Sequence, residues 1–99
     1  MYVVRELMYC KPGKVGEMVK RFKAMEPLMK EAGYAGPIRV MTDMSGEQFW
    51  TIVWEQEVES LDKYVEFMRQ GASDPRAQKI MQGYHDLVEG GKREIYKVE

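Results

Sequence analysis

The chain has no asparagine, one cysteine (Cys10) and one histidine (His85) in 99 residues. A lone cysteine excludes an intramolecular disulfide and any cysteine-built metal cluster. It points to a reducing, cytoplasmic setting. A lone histidine excludes a His-based zinc site within one chain. Neither sign of charge is in excess, with 15 Lys+Arg against 16 Asp+Glu. No basic stripe is present, so nucleic acid is not an expected partner. Long apolar runs are missing too. The opening stretch MYVVRELMY carries Arg5 and Glu6 in its middle. It is too short and too polar for a signal peptide or a membrane span, so no membrane partner is expected. No composition shift marks a linker, and the length fits a single domain over residues 1–99. Such a chain folding alone buries only roughly two thirds of its unfolded surface, so self-association would help it.

What is present is a run of alternating element signals. YVVRELMYC (2–10) is rich in β-formers, and KPG at 11–13 stops it. Val15, Met18, Val19, Phe22, Met25 and Met29 recur at helical spacing. They predict a helix to about Ala32 with Gly33 as its C-terminal cap. Pro27 predicts a kink or a split in it. After the loop GYAGP, residues 38–43 and 48–56 predict two strands of an antiparallel hairpin turning at Ser45-Gly46. Val58, Leu61, Val65 and Met68 predict the apolar stripe of a second helix, flanked by Tyr64 and Phe67 and ended by Gly71. Asp74-Pro75 opens a third helix, with Ala77, Ile80, Met81, Tyr84 and Val88 as its stripe. Gly90-Gly91 is expected to end it, and REIYKV (93–98) is the last strand. The order β-α-β-β-α-α-β gives an α+β, ferredoxin-like fold: a four-stranded antiparallel sheet with helices on one face.

The stretch FWTIVWE (49–55) adds a constraint. Strand side chains alternate, so Phe49, Thr51 and Val53 share one face and Trp50, Ile52 and Trp54 the other. Both faces then read as apolar, while helices cover only one. The expected cover for the second face is another copy of the chain across a two-fold axis.

KPGK after the first strand, the Pro27-Leu28 pair late in a long helix, and a strand ending in Trp54 before a helix resemble the dimeric α+β barrel superfamily. YCKPGKVGEMVKRF (9–22) is most similar to NIPSNAP-like domains, with antibiotic-biosynthesis-monooxygenase-like domains in the same group. The resemblance implies a homodimer whose sheets face each other with the helices outside. It also implies a pocket between sheet and helices. Members of the superfamily include cofactor-independent monooxygenases, haem-degrading monooxygenases, lactone isomerases and chlorite dismutases. The monooxygenases characteristically use an Asn near a Trp, and this chain has no asparagine. It also lacks His in RQGASDPRAQ (69–78), where antibiotic-type monooxygenases often carry it.

Few residues invite chemistry. His85 is the one side-chain type that titrates near neutral pH without help. It can be a general acid/base, an axial metal ligand, or a histidine settled on a helix C-terminus. Arg5 and Glu6 lie mid-strand on opposite faces, where each needs a partner or a cavity. Arg5 with His85 forms the candidate catalytic or ligand-orienting pair. Trp50, Trp54, Tyr9, Tyr64 and Met81 are the candidate pocket lining; the same residue types also make ordinary cores. No cofactor and no metal are expected. Three functions follow. One is a small-molecule-binding or accessory protein with an apolar or aromatic ligand. Another is a cofactor-independent monooxygenase or isomerase on an aromatic or lactone substrate. The third is a structural homodimer without catalysis.

Overall fold

The computed structural model describes residues 1–99. The elements are β1 (Tyr2–Cys10), α1 (Val15–Glu31), β2 (Ile38–Thr42), β3 (Thr51–Val58), α2 (Leu61–Ser73), α3 (Pro75–Met81), a 3-10 turn (Tyr84–Asp86) and β4 (Val88–Lys97). The strands pair antiparallel in the order β2-β3-β1-β4. This is the ferredoxin-like order that the sequence predicts. The molecule is 17 Å thick in its thinnest direction, which leaves room for one sheet and one helix layer only. No helix is long and apolar enough to cross a membrane.

The core lies between the sheet and α1. Met18 and Phe22 of α1 pack on Cys10, Ile52 and Trp54, and Phe22 meets Trp54 edge-on at 5.8 Å. A second cluster joins Val4, Tyr34, Val58 and Tyr64 under the end of the sheet. Helix α1 is not split at Pro27. Proline removes one amide donor, and Pro27 and Lys23 both face solvent, so the carbonyl left free turns to water. Gly33 ends the helix at φ +100° while the Tyr34 amide bonds back to the Met29 carbonyl at 3.0 Å.

Four expectations need correction. First, β3 begins at Thr51, because Trp50 adopts φ +60° and leaves the strand. The helix-facing side of β3 is therefore Ile52, Trp54, Gln56 and Val58, and the open side is Thr51, Val53, Glu55 and Glu57. The open face is amphipathic, not apolar throughout. Second, Val58 closes β3, and α2 starts after Ser60, whose Oγ accepts the Lys63 amide at 3.2 Å, and runs past Gly71 to Ser73. Third, α2 turns Tyr64 and Phe67 inward and leaves Leu61, Val65 and Met68 exposed. Phe67 packs edge-on against Tyr34 and the Tyr64 hydroxyl reaches a carboxylate on the sheet, and these partners set the helix rotation. Fourth, α3 stops at Met81, and Gly90-Gly91 lie inside β4. A Cβ on Gly91 would sit 2.4 Å from the Leu7 carbonyl oxygen, so only glycine lets β4 approach β1 there.

Candidate functional site

Residues 5 and 6 divide the molecule into two polar sites, one on each face of the sheet. Glu6 points toward the helix layer, on the side of β1 that faces the edge strand β4. Its Oε1 accepts from Arg93 Nε at 2.6 Å and from the Tyr64 hydroxyl. The Arg93 guanidinium also lies over the Tyr64 ring, 5.6 Å from its centroid. Burial pushes the Tyr64 phenol well above its ordinary range, and the Glu6 carboxylate adds to the shift. The hydrogen bond to Glu6 raises Arg93 in turn.

Beside this trio is a cleft of about 420 Å³ between the β1–β4 edge and the 3-10 turn, lined by Glu6, Met8, Tyr84, His85, Val88 and Arg93 among others. Its volume falls within the range of small-molecule sites, roughly 300–1,000 Å³. The His85 ring leans on Tyr84 with centroids 4.0 Å apart. The turn that carries both is held from α1. Arg21 Nη1 donates to the carbonyls of Ile80 at 3.0 Å and Gln82 at 2.5 Å. Those are orphan acceptors at the end of α3. Arg93 spends Nε on Glu6 and is 47% exposed, so its guanidinium keeps Nη donors for a ligand oxygen. Met8, Tyr84 and Val88 supply the apolar part of the lining.

The second site is on the open face. Glu55 is only 5% exposed and takes Arg5 Nε on Oε1 at 2.7 Å and Arg39 Nε on Oε2 at 2.9 Å. The Arg5 hydrogen bond, joined by Arg39, holds the Glu55 carboxyl below the usual carboxylate range against the opposing effect of burial. A smaller cavity of about 250 Å³ lies next to it, under the loop 43–50, with Tyr9, Met41 and Lys92 in its lining.

The candidate residues therefore do not converge. His85 lines the edge cleft, and Tyr64 reaches its floor through Glu6. Arg5 and Tyr9 are on the other face. Trp54 is core, donating Nε1 to Gln56 Oε1 at 2.5 Å, and Met81 packs on the same cluster. Trp50 stands at the entry of β3, where its carbonyl accepts the Cys10 amide at 2.8 Å. Neither cavity lies between the sheet and α1, where Met18 and Phe22 pack on Ile52 and Trp54. Arg93 went unremarked in the sequence. Its signal was alternation: in REIYKV it shares a face with Ile95, an unusual place for an arginine unless a partner waits there. No group of three His, Cys, Asp or Glu side chains converges as a metal site.

No family model matches the chain, and no curated protein matches it. Solved structures do. An uncharacterised NIPSNAP domain protein from Burkholderia xenovorans superposes with a TM-score of 0.82 at 17% identity, covering 100% of this chain and 95% of that one. A NIPSNAP family protein of unknown function from Agrobacterium tumefaciens gives 0.81 at 19% identity, covering 99% and 87%. A candidate antibiotic biosynthesis monooxygenase from Chloroflexus aurantiacus gives 0.71 at 14% identity, covering 99% and 93%. The chain has the ferredoxin-like α+β fold of these proteins. At such identities the likeness carries the fold and not the reaction.

Proposed function

We propose that the protein is a homodimer that binds a small molecule in the edge cleft of each subunit. The apolar or aromatic body of the ligand rests on Met8, Tyr84 and Val88, and an acceptor oxygen takes the Nη donors of Arg93 beside His85. The observation that carries this reading is an arginine anchored by one nitrogen at the floor of a small-molecule-sized cleft. Glu6 and Tyr64 fix its position, so little conformational freedom is lost on binding. The second copy is proposed for the open sheet face, which no helix covers and where Met41 and Tyr96 are exposed and Val3, Leu7 and Val53 half-buried. A clean monomer by sedimentation at micromolar concentration would overturn that part.

Because His85 is the only histidine, its imidazole resonances report on the cleft alone. Titration with 4-hydroxybenzoate and with benzene-1,4-diol should give a saturable shift with at least one of them. Binding should weaken about tenfold or more in Arg93→Met. No shift with either probe up to about 10 mM defeats the reading.

A second reading, a cofactor-independent monooxygenase or isomerase, is favoured by His85 at the cleft wall and by the fold shared with the Chloroflexus protein. Its test is oxygen uptake with benzene-1,4-diol that disappears in His85→Gln.

A further inference from the structure

One row of side chains crosses the entire open face. The registers set Arg39 of β2 opposite Glu55 of β3, Glu55 opposite Arg5 of β1, and Arg5 opposite Glu94 of β4. In strand order the charges read plus, minus, plus, minus. Within the chain this alternation stabilises the sheet, since each neighbouring pair is of opposite sign. It leaves more than the sheet needs, however. Glu55 is 5% exposed, while Arg5 and Arg39 remain 44% and 70% exposed, turned toward whatever lies over the face. The next row, Met41, Val53, Leu7 and Lys92, is apolar across three of its four strands.

A four-membered alternating row has a symmetry property. For two facing sheets with their strands aligned, a two-fold axis between them runs along the strands or across them. An axis along the strands reverses the strand order, so β2 lies over the partner's β4 and β3 over the partner's β1. Arg39 then faces the partner's Glu94, and Glu55 faces the partner's Arg5. An axis across the strands keeps the order and stacks each charge on its own copy. The usual angle of about 30° between packed sheets leaves the ordering unchanged. Like charges in an interface cost enough to exclude an arrangement, whereas opposite charges fix its register.

We infer that the row Arg39–Glu55–Arg5–Glu94 is a self-recognition surface for a second copy of this chain, and that it selects the two-fold axis parallel to the strands. The inference rests on the homodimer proposed above and goes beyond it by naming the pairs. In that arrangement Leu7 lies over the partner's Val53 next to the axis, so the apolar centre and the charged row close together.

The test inverts the row: Arg5→Glu, Arg39→Glu, Glu55→Arg and Glu94→Arg in one chain. The inverted row keeps neighbours along the row opposite in sign and remains complementary to its own copy; its one like-charge contact is Lys92, whose Nζ lies 3.7 Å from the Glu94 carboxylate in the wild type and is 42% exposed. It should fold and dimerise. Mixed with the wild type after full subunit exchange, it should refuse the mixed dimer, at least about tenfold below the statistical proportion by native mass spectrometry. Mixed dimers at or above that proportion would overturn the inference, because an axis across the strands favours them. An inverted chain that folds but stays monomeric beside a dimeric wild type would also overturn it. A monomeric wild type would overturn the dimer reading itself. If circular dichroism shows the inverted chain unfolded, the single changes Arg39→Glu and Glu94→Arg replace it. Each should weaken self-association about tenfold or more, and an equimolar mixture of the two should restore it. Unchanged self-association in both singles would overturn the inference.

Discussion

Acid should remove a defined part of the stability, and Glu55 should account for it. Its carboxylate is buried and its pKa is held down, first by the hydrogen bond from Arg5 and then by Arg39. The unfolded chain, with an ordinary glutamate near pH 4.3, takes up the proton first. Stability is therefore fully present above that pH and is lost as the pH falls toward the lower folded value. Three charge-assisted hydrogen bonds, one from Arg5 and two from Arg39, at about 1.5–3 kcal/mol each set the upper end of the effect. Solvent screening of Arg5 and Arg39, 44% and 70% exposed, reduces it to about 2 kcal/mol. For a domain of this length that is a fall of roughly 8–16 °C in Tm. The control is Glu55→Gln, which keeps the shape and cannot titrate between pH 3 and 5. It should cost about 1–2 kcal/mol at pH 7 and flatten the acid limb relative to the wild type. Urea unfolding followed by tryptophan emission, at fixed protein concentration, gives both numbers. The other carboxylates also titrate in this range, so the difference between the two curves is the readout. Parallel curves from pH 7 to pH 3 would refute the assignment.

Three further outcomes are expected. Gly91→Ala should cost about 1–3 kcal/mol in thermal unfolding, because its Cβ would meet the Leu7 carbonyl oxygen at 2.4 Å. Gly90→Ala, with nothing within 4 Å, should change stability by less than about 0.5 kcal/mol. Tyr64→Phe should cost about 1–2 kcal/mol by removing the donor to Glu6. It should also erase, from an ultraviolet titration, a phenol that ionises after ordinary tyrosines; because that phenol is raised in the folded state, its contribution is lost as the pH rises above about 10. Arg21→Met should free the Ile80 and Gln82 carbonyls, costing about 1 kcal/mol, and should speed amide exchange at Asp86 and Leu87, which bond back within that turn.

The element order was legible because its signals are local: KPG after β1, Asp74-Pro75 before α3, alternation in β4. What was not legible depended on distant partners. Phe49 and Trp50 have the composition of a strand, yet Trp50 turns to φ +60° where its carbonyl meets the Cys10 amide, forty residues away in sequence. In α2 two phases are apolar, Leu61-Val65-Met68 and Tyr64-Phe67. The choice between them rests on Glu6 and Tyr34, outside the helix. Gly90-Gly91 reads as a helix stop, and its role is visible only once β4 lies against Leu7. For the cleft, Glu6 announced the need for a partner, but Arg93 lies 87 residues away and no local pattern links them.

One pattern does connect the two faces. The dipeptide Arg-Glu occurs at 5–6 in β1 and again at 93–94 in β4, and the strands run antiparallel. Arg5 therefore meets Glu94 on the open face while Glu6 meets Arg93 on the helix face. A slip of one residue in either direction would set Glu6 against Glu94 or Arg5 against Arg93, like against like. It would also send each side chain to the wrong side of the sheet. The edge strand is thus held in register by charge on both faces at once, in a region where the helix layer offers β4 little packing. The same lock gives each face its own polar site from a single pair of neighbours. Arg5 and Glu94 join the open-face row, and Glu6 and Arg93 form the floor of the cleft. Because adjacent residues serve the two sites through opposite faces, charge changes at position 94 should alter self-association while His85 keeps its chemical environment, and changes at position 93 should do the reverse.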